Sequence, residues 1–513
     1  MNENHQIPTP ILNGTSSLWQ AFSRGVRDNL VAEVLVQCLR VGGTIFLARA
    51  LAPGDFGLFK ILLIVAMVAT LFSESGIPDA LIQREDLTPE HETTAWWLTL
   101  GFTGMTLVLL YFGAPAIAAA MSLRNLELAI QLLCLPLMLE GSAIVSVARL
   151  SRSFRFGALA LADVIAEIVF LATAFVVLRR GRPEWSLPFG LAARFASHAV
   201  VIWAADRRIP YGIPRLAAAK DLIRFALTVL GGRIVTIASG NADFLLVGRL
   251  LGASALGYYS MAWDLLRFVP DRLHRVVGRV ALPAFCRLRT NEDLGAAYCS
   301  LMEHLSHLIL PFALCLAVAA PELLTTIYGP KWLPAATPMR LLACGLALSG
   351  LRMANAPVYY ARNYPSLDIF LNGARLILIA IAVIATAKVG LIGVSASVGL
   401  VEALISISGQ FVVCALIGLT LDSLLTALNP SIRITAFCLI TISASAVVAR
   451  SLGLSAPAAL VLLTLPTGLT YCWLQGGEWL RLALTSFSHT PSTLWRSGLI
   501  KTLSAFWMLR IEL

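Results

Sequence analysis

The stretch Phe46-Leu-Ala-Arg49-Ala-Leu-Ala-Pro53-Gly-Asp55-Phe56-Gly57-Leu-Phe59 lies between two long apolar segments. The stretch Leu246-Val-Gly-Arg249-Leu-Leu-Gly-Ala-Ser-Ala-Leu-Gly257-Tyr-Tyr259 occupies the same kind of place in the second half and aligns with the first without a gap. In both copies a charged residue closes a membrane-length segment, a short turn follows, and a glycine begins the next one. A repeat at matching places in two halves of similar length predicts two structurally related halves.

The composition decides the class of protein. The chain of 513 residues is 58% hydrophobic and only 13% charged, and its mean hydropathy is +0.79. A soluble domain has about 25% charged residues to cover its surface, so the composition indicates an integral membrane protein. The net charge of +10 does not indicate nucleic acid binding, because Lys and Arg are spread over short loops between apolar runs. That pattern sets membrane topology and contacts anionic lipid headgroups.

Windows of roughly 20 apolar residues predict about fourteen transmembrane helices, because only helices satisfy every backbone polar group in lipid. We expect an all-α integral membrane protein with two six-helix lobes, related as a parallel pseudo-repeat, and a C-terminal helix pair. The expected helices are 29–49, 57–75, 94–120, 128–148, 158–178, 186–204, 222–248, 256–283, 301–320, 336–360, 368–387, 390–418, 431–449 and 456–475. The expected units are an N-terminal segment 1–28, an N-lobe 29–210, a C-lobe 211–420, the pair 421–477 and an interfacial tail 478–513.

The distribution of positive charge predicts the orientation. Residues 1–17 are polar and lack the basic-then-apolar order of a signal peptide. With this end inside, most Arg and Lys of the short loops fall on the cytoplasmic face, as the positive-inside rule requires. Only the loop Arg179-Arg180-Gly-Arg182 disagrees. We therefore expect a multi-pass membrane protein with both termini in the cytoplasm.

Charged residues recur within the apolar segments at helical spacing, so they share helix faces. The clearest stripes are Glu33, Gln37, Arg40 and Thr44 in the first helix, Arg233, Thr236, Gly240 and Asp243 in the seventh, and Asp264, Arg267 and Asp271 in the eighth. Further polar pairs are Asp163 with Glu167 and Arg194 with His198, and Arg352 and Arg375 stand singly. Two interpretations stay open: ion pairs that fix packing, such as Glu33 with Arg40 or Asp264 with Arg267, and a hydrated cavity. We favour the cavity, because charges within a membrane are costly and so many are difficult to pair in a dry bundle.

Signals for catalysis or cofactors are weak. No G-x-x-x-x-G-K-[ST] sequence occurs, so no nucleotide hydrolysis is expected. The nine cysteines include no C-x-x-C and predict neither a zinc site nor a disulfide framework. His304 and His307 share a helix face near Glu303 but have no recognisable third ligand, so we predict no metal, no cofactor and no catalytic residue.

Several motifs resemble a known family. The sequence from Arg49 to Gly57, followed by Ala80-Leu-Ile-Gln83-Arg84, resembles bacterial polysaccharide flippases of the Wzx type. These belong to the multidrug/oligosaccharidyl-lipid/polysaccharide (MOP) exporter superfamily. Leu282-Pro283-Ala-Phe285-Cys-Arg287 and Tyr328-Gly329-Pro-Lys331-Trp332 agree with it in the second half. The chain departs from the family pattern at Ala50-Leu-Ala-Pro-Gly and at Phe244, where a charged residue often follows the aspartate.

The resemblance implies a protein of the bacterial inner (plasma) membrane with a V-shaped cavity between two lobes. It also implies a substrate, an oligosaccharide on undecaprenyl diphosphate, which is moved from the cytoplasmic to the periplasmic leaflet by alternating access. A cationic cavity would hold the diphosphate, and the candidate residues are Arg40, Arg49, Arg233, Arg249 and Arg267. Arg49 and Arg249 stand in motif positions, whereas the other three rest on helix-face geometry. Candidates for ion coupling or for the polar cavity wall are Glu33, Asp163, Asp243 and Asp264. The expected partners are membrane lipids and the polysaccharide polymerase or export machinery, and the expected state is a monomer.

Three alternatives stay open. A cation-coupled drug exporter of the same superfamily would share the fold but would need a carboxylate-dominated cavity. A flippase for the lipid-linked peptidoglycan precursor differs only in its substrate. A membrane sugar polymerase or glycosyltransferase would carry catalytic residues in a substantial outer loop, whereas the outer loops around 179–186 and 321–335 offer only Glu184, Glu322 and Lys331.

Overall fold

The computed structural model describes residues 15–74, 76–78, 81, 88–123, 125–207 and 212–486. Within these ranges all regular structure is helical, and the all-α fold is confirmed. The expectations for the first 14 residues and for the tail beyond residue 486 lie outside the described residues.

The transmembrane helices follow one another through short turns. The first six are α1 Thr15–Ala50, α2 Pro53–Glu74, α3 Pro89–Met121, α4 Leu126–Arg152, α5 Phe156–Arg179 and α6 Pro183–Ala205. The helix Leu216–Arg287 is kinked at Gly252, and we call its two arms α7 and α8. After it come α9 Asn291–Val318, α10 Ala320–Ile327, α11 Ala336–Leu351, α12 Asn355–Ala361, α13 Pro365–Thr386, α14 Leu391–Ile417, α15 Leu421–Ser451 and α16 Ala456–Ser486.

The kink at Gly252 explains the number of membrane crossings. Gly252 has φ 86° and ψ 175°, a conformation that L side chains rarely adopt. Among the described residues, 13 helical segments are long and apolar enough to cross a membrane, and one of them, Thr236–Gly278, contains the kink. Asp243 and Tyr259, on opposite sides of the kink, are joined by a hydrogen bond of 2.8 Å, so this segment turns back on itself. Counting its two arms separately gives fourteen candidate crossings among the described residues, the number expected from the sequence.

For description we call α1–α6 the N-lobe and α7–α14 the C-lobe; the exact boundaries of these units stay a prediction. Within the N-lobe α1 packs on α5, α3 on α4, and α6 on both α4 and α5. Within the C-lobe α11 packs on α9 and α14, and α13 packs on α14. The final pair joins the C-lobe through α15, which packs along α9, while α16 contacts α10.

Several helices begin earlier than the sequence predicted. α1 starts at Thr15 rather than 29, α9 at Asn291 rather than 301, and α15 at Leu421 rather than 431. The hydroxyls of Thr290 and Thr420 accept hydrogen bonds from the main-chain N–H of Asp293 and Ser423 and cap two of these helices. A window of apolar residues detects the part of a helix inside lipid and misses the polar turns that extend beyond it.

Two departures from regular helix position residues of the site. The predicted outer loop 321–335 instead forms α10 and a 3-10 turn, Pro330–Ala335, that are too short for a transmembrane window to detect. The predicted helix 336–360 is broken into α11, a 3-10 turn Arg352–Ala354, and α12. Pro357 lacks an N–H group and its ring crowds the carbonyl of Met353, which accounts for the break.

Candidate functional site

The two repeated stretches, which we call elbows (46–59 and 246–259), pack directly on each other. A Cβ atom added to Gly57 would lie 1.9 Å from the carbonyl oxygen of Ala253, and one added to Gly257 would lie 1.9 Å from that of Pro53. The two contacts are equivalent under the alignment of the repeats, so the elbows meet with two-fold pseudosymmetry. The sequence predicted that Gly57 begins the second helix. In the structure α2 begins at Pro53, so Gly57 lies in the second turn of this helix.

The two elbow arginines make equivalent contacts across the lobes. Arg49 donates from Nε to the carbonyl oxygen of Ile327 at 2.8 Å and from Nη2 to that of Thr326 at 2.5 Å. Arg249 donates from Nη1 to the carbonyl oxygen of Ala120 at 2.9 Å. These carbonyls lie at the ends of α10 and α3, where helix carbonyls have no intrahelical partner and carry partial negative charge. Each arginine thus caps a helix of the other lobe.

The C-lobe segment Tyr328–Trp332 completes this contact. Lys331 Nζ donates to the carbonyl oxygens of Arg49 at 2.9 Å and Leu51 at 2.6 Å, and Trp332 Nε1 donates to that of Ala48 at 2.8 Å. The Trp332 ring is fully buried, 5.2 Å from the ring centre of Phe56 and 6.1 Å from that of Tyr258. We call the elbows and Tyr328–Trp332 together the elbow seal. It joins the lobes at one end of the molecule.

A pocket of about 650 Å³ lies beyond the seal. Among the described residues, Lys60, one helical turn after Gly57, is the only lining residue from the N-lobe. The remainder come from α7, α8, and the segments from α11 to α13. We call it the C-lobe pocket. The sequence predicted a cavity shared by both lobes; of the nine predicted cavity residues, Asp264 and Arg267 line this pocket.

Charged residues on the pocket wall form pairs. Lys60 Nζ lies 3.0 Å from Asp264 Oδ1 and links the two lobes. Arg267 donates to Asp271 Oδ1 from Nε at 2.8 Å and from Nη2 at 2.6 Å. The pair of Asp264 with Arg267, which the sequence left open as an alternative to the cavity, does not form. Asp264 pairs with Lys60 of α2 and Arg267 pairs with Asp271 of its own helix.

Two charged lining residues have no ion pair among the described residues. Arg352, in the 3-10 turn between α11 and α12, makes no hydrogen bond or ion pair there. Asp368 accepts hydrogen bonds from the Tyr360 hydroxyl and Asn372 Nδ2, each at 3.1 Å, but faces no cation within ion-pair distance. No stripe of polar residues surrounds Arg352 in the sequence, and its only signal there is that of an isolated charge within an apolar segment.

The predicted coupling residue Asp243 lies behind the pocket wall and is fully buried. The Tyr259 hydroxyl donates to Asp243 Oδ2 at 2.8 Å, while Oδ1 has no hydrogen-bond partner within the described part of the chain. Nearby, Arg375 donates from Nε to Glu402 Oε1 at 2.7 Å and from Nη1 to the hydroxyl of Ser239 at 3.0 Å. Glu402 is also fully buried, and its Oε2 has no hydrogen-bond partner among the described residues.

A separate polar cluster lies inside the N-lobe. Arg40 Nε donates to Glu167 Oε2 at 3.0 Å, and Arg194 Nε lies 3.8 Å from the same oxygen. His198 lies 2.8 Å from Glu140 and 3.8 Å from Asp163. The side chain of Arg40 is 41% exposed and that of Asp163 is 56% exposed, so this cluster borders open space although it does not line the C-lobe pocket.

The remaining predicted residues lie elsewhere. Glu33 Oε1 lies 2.9 Å from Arg275 Nη2 of α8, so it pairs across the lobes and not with Arg40. Arg233 is half-buried on α7 and is not a lining residue of the C-lobe pocket. His307 Nδ1 lies 2.8 Å from the Ser431 hydroxyl, which also binds Ser306 at 2.6 Å, and this polar contact fixes α15 on α9.

The sequence matches the family described as "Polysaccharide biosynthesis protein" over residues 46–337, from the first elbow into α11. This match spans more than half of the chain. The protein belongs to this family.

Relatives within polysaccharide biosynthesis agree with that assignment. The teichuronic acid biosynthesis protein TuaB of Bacillus subtilis (strain 168) is 24% identical over 373 residues, which are 72% of this chain and 77% of TuaB. The lipopolysaccharide biosynthesis protein WzxC of Escherichia coli (strain K12) is 23% identical over 406 residues, 77% of this chain and 81% of WzxC.

Among solved structures, the lipid II flippase MurJ in an inward closed conformation superposes with a TM-score of 0.68. The match covers 89% of this chain and 99% of MurJ at 14% sequence identity. The family member described here therefore shares the fold of MurJ, and its candidate membrane spans make it a multi-pass membrane protein.

Proposed function

We propose that this protein is a flippase that moves an oligosaccharide on undecaprenyl diphosphate from the cytoplasmic to the periplasmic leaflet of the bacterial inner membrane. The observation that carries the proposal is a polar, arginine-containing pocket beneath a seal between two lobes, in a member of a polysaccharide biosynthesis family. The named functions of TuaB, WzxC and MurJ support the substrate class.

Transport proceeds by alternating access, in which two repeats rock around a central site. If the N-terminus is cytoplasmic, α1 ends outside and the elbow seal is the outer gate. The structure then corresponds to a state closed towards the periplasm, ready to receive the headgroup from the inner leaflet. The sugar stays hydrated in the cavity while the lipid tail remains in the bilayer.

The candidate arginines have different tasks in this cycle. Arg49 and Arg249 hold the outer gate through helix-end carbonyls, and rocking of the lobes releases both together. Arg267 lines the C-lobe pocket, where its Nε and Nη2 both donate to one oxygen of Asp271. It exchanges this carboxylate for the substrate's phosphate, because guanidinium binds two phosphate oxygens in a bidentate manner. Arg40 and Arg233 supply positive potential on the approach to the pocket.

The energy source does not involve Asp243 as an exposed titrating group, because this carboxylate is fully buried behind the pocket wall. Of the carboxylates proposed for coupling, Asp163 is the one that is both open to solvent and next to a histidine. Removal of the product by a polymerase outside the membrane drives net transport in the absence of an ion gradient.

The test is flipping of a fluorescent undecaprenyl-diphosphate oligosaccharide in liposomes that contain the purified protein, measured by quenching from outside. We expect protein-dependent movement that an Arg267→Ala variant slows roughly tenfold, about the effect of losing one charge-assisted contact. The matched control is Arg289→Ala, since Arg289 is exposed and outside the pocket. Transport of organic cations without movement of the lipid-linked sugar would instead support a drug exporter.

A further inference from the structure

The charges of the C-lobe pocket are matched except at two places. Lys60, Arg267 and Arg375 each have a carboxylate within ion-pair distance. Among the described residues that line the pocket, Arg352 has no such partner, and Asp368 is the acid without a cation. The unmatched cation and the unmatched acid therefore face the same space.

The position of Arg352 makes the missing partner significant. The residue lies within a transmembrane segment, at the break between α11 and α12, and is largely shielded from solvent. An arginine at membrane depth is costly unless water or an anion solvates it. Its guanidinium offers five N–H donors in a planar arrangement that fits two oxygens of one phosphate. Among the described residues no carboxylate lies within ion-pair distance of these donors, and Glu402 and Asp368 act on them only at longer range.

Asp368 lines the same pocket as Arg352, within electrostatic range of the guanidinium but beyond ion-pair distance. The hydroxyl of Tyr360, a residue of α12, donates to Asp368 Oδ2 at 3.1 Å. Asn372 fixes the other oxygen of Asp368. A carboxylate has about four acceptor sites, and two donors occupy part of them, so the remainder is available to hydroxyl groups. Ionised acceptors make the stronger hydrogen bonds of this kind.

We propose that the C-lobe pocket is a two-part subsite: Arg352 binds a phosphate oxygen pair, and Asp368, held by Tyr360 and Asn372, binds hydroxyls of the sugar joined to that phosphate. This inference rests on the proposed function and adds to it a preference for one sugar next to the diphosphate. A volume of about 650 Å³ is that of a pocket for a drug-sized ligand. It holds a diphosphate with its first sugar rings but not a long repeat unit, so the protein selects its substrate by the sugar next to the diphosphate.

The test measures binding to the full-length protein in detergent by calorimetry. The probes share a farnesyl chain: farnesyl diphosphate, and the same diphosphate carrying one glucose, one galactose or one N-acetylglucosamine. Inorganic pyrophosphate and phosphatidylglycerol are added as competitors, because a free anion or a lipid headgroup presents the same phosphate chemistry. The variants are Arg352→Ala, Arg352→Lys and Asp368→Asn, with Arg289→Ala as the control for loss of a positive charge.

We expect Arg352→Ala to weaken binding of all four farnesyl probes roughly tenfold or more, since a charge-assisted bidentate contact is lost. Arg352→Lys keeps the positive charge but loses the bidentate geometry. Its affinity for the probes should therefore lie between that of the wild type and that of Arg352→Ala. Asp368→Asn should leave farnesyl diphosphate unchanged and remove most of the added affinity of the preferred sugar. Arg289→Ala should bind as the wild type does.

Unchanged affinity in both Arg352 variants would overturn the assignment of Arg352 to the phosphate. The same conclusion would follow if phosphatidylglycerol competed with the sugar-carrying probes as strongly as farnesyl diphosphate does. Equal affinity for all four farnesyl probes in the wild type would overturn the sugar assignment. Flipping of the undecaprenyl-linked oligosaccharide by the wild type, measured in parallel, separates these results from failure of the proposed function. If the wild type flips the oligosaccharide and Arg352→Ala binds the farnesyl probes with wild-type affinity, the protein is a flippase whose substrate site lies elsewhere.

Discussion

Gly57 and Gly257 are equivalent residues that each face a main-chain carbonyl of the opposite elbow, at a distance that excludes any side chain. Because the contact is made twice, a change at either glycine opposes closure of the same interface. The arginines of the elbows extend this symmetry, since each caps a helix of the other lobe. The repeated sequence is therefore the contact surface between the lobes and not only a record of their common origin.

The first prediction concerns this contact. We expect Gly57→Ala and Gly257→Ala each to destabilise the closed seal by about 1–3 kcal/mol, the usual cost of overpacking, because the backbone carbonyl cannot move aside. Flipping should slow, and the two variants should have similar effects. Gly42→Ala is the matched control, since a Cβ at Gly42 would have no neighbour within 4 Å. Normal transport in both elbow variants would show that the seal does not need this approach.

A second prediction uses the same interface to lock the protein. A Cβ at Gly54 would lie 3.8 Å from the Cβ of Ala253, which is the usual Cβ separation in a disulfide, about 3.8 Å. The variant Gly54→Cys/Ala253→Cys should therefore form a disulfide on oxidation, stop flipping, and recover when reduced. The two single-cysteine variants, treated in the same way, control for the native cysteines. Full transport by the oxidised double variant would mean that the elbows do not separate during the cycle.

The third prediction concerns the buried charges behind the pocket. Removing Arg375 leaves Glu402 buried without its partner, so Arg375→Met should destabilise the protein by about 3–5 kcal/mol. Arg375→Met/Glu402→Gln removes both charges and should recover much of that loss. Thermal unfolding of the purified protein in detergent measures both. A double variant as unstable as the single one would indicate that the arginine acts through Ser239 or Asp243 and not through Glu402.

The sequence was sufficient for the number and order of the membrane-length helices and for the repeat, but not for the helix ends or for the break after α11. Apolar length locates the part of a helix inside lipid, and the alignment of Arg49 with Arg249 located the elbows. The ion pairs were not predictable in this way. The ion-pair interpretation that the sequence left open placed the partners of Glu33 and Asp264 on their own helices, whereas the structure pairs them with Arg275 and Lys60 of the other lobe. Spacing along a chain shows which residues share a helix face and not which helix that face meets.

Arg352 was noted in the sequence as a single charge but was not chosen as a candidate site residue, for a related reason. A stripe of polar residues indicates a helix face in contact with water, but Arg352 is a single charge. The 3-10 turn that places it in the pocket depends on Pro357 and on tertiary packing. The seal segment Tyr328–Trp332 was recognised as a motif, but its role depends on contacts with Ala48, Arg49 and Leu51, far away in the sequence.

The last prediction concerns Glu33 and Arg275, which join α1 to α8 at 2.9 Å. Their side chains are 49% and 55% exposed, so the pair should contribute less than about 1 kcal/mol. We expect Glu33→Lys and Arg275→Glu each to change the flipping rate by a few-fold, because like charges then separate the lobes at this point. The double variant Glu33→Lys/Arg275→Glu restores opposite charges and should return the rate to near the wild-type value. Salt should reduce all three effects, since exposed charges are screened. If the double variant showed the sum of the single effects, the two residues would act independently and the link between α1 and α8 would have no part in transport.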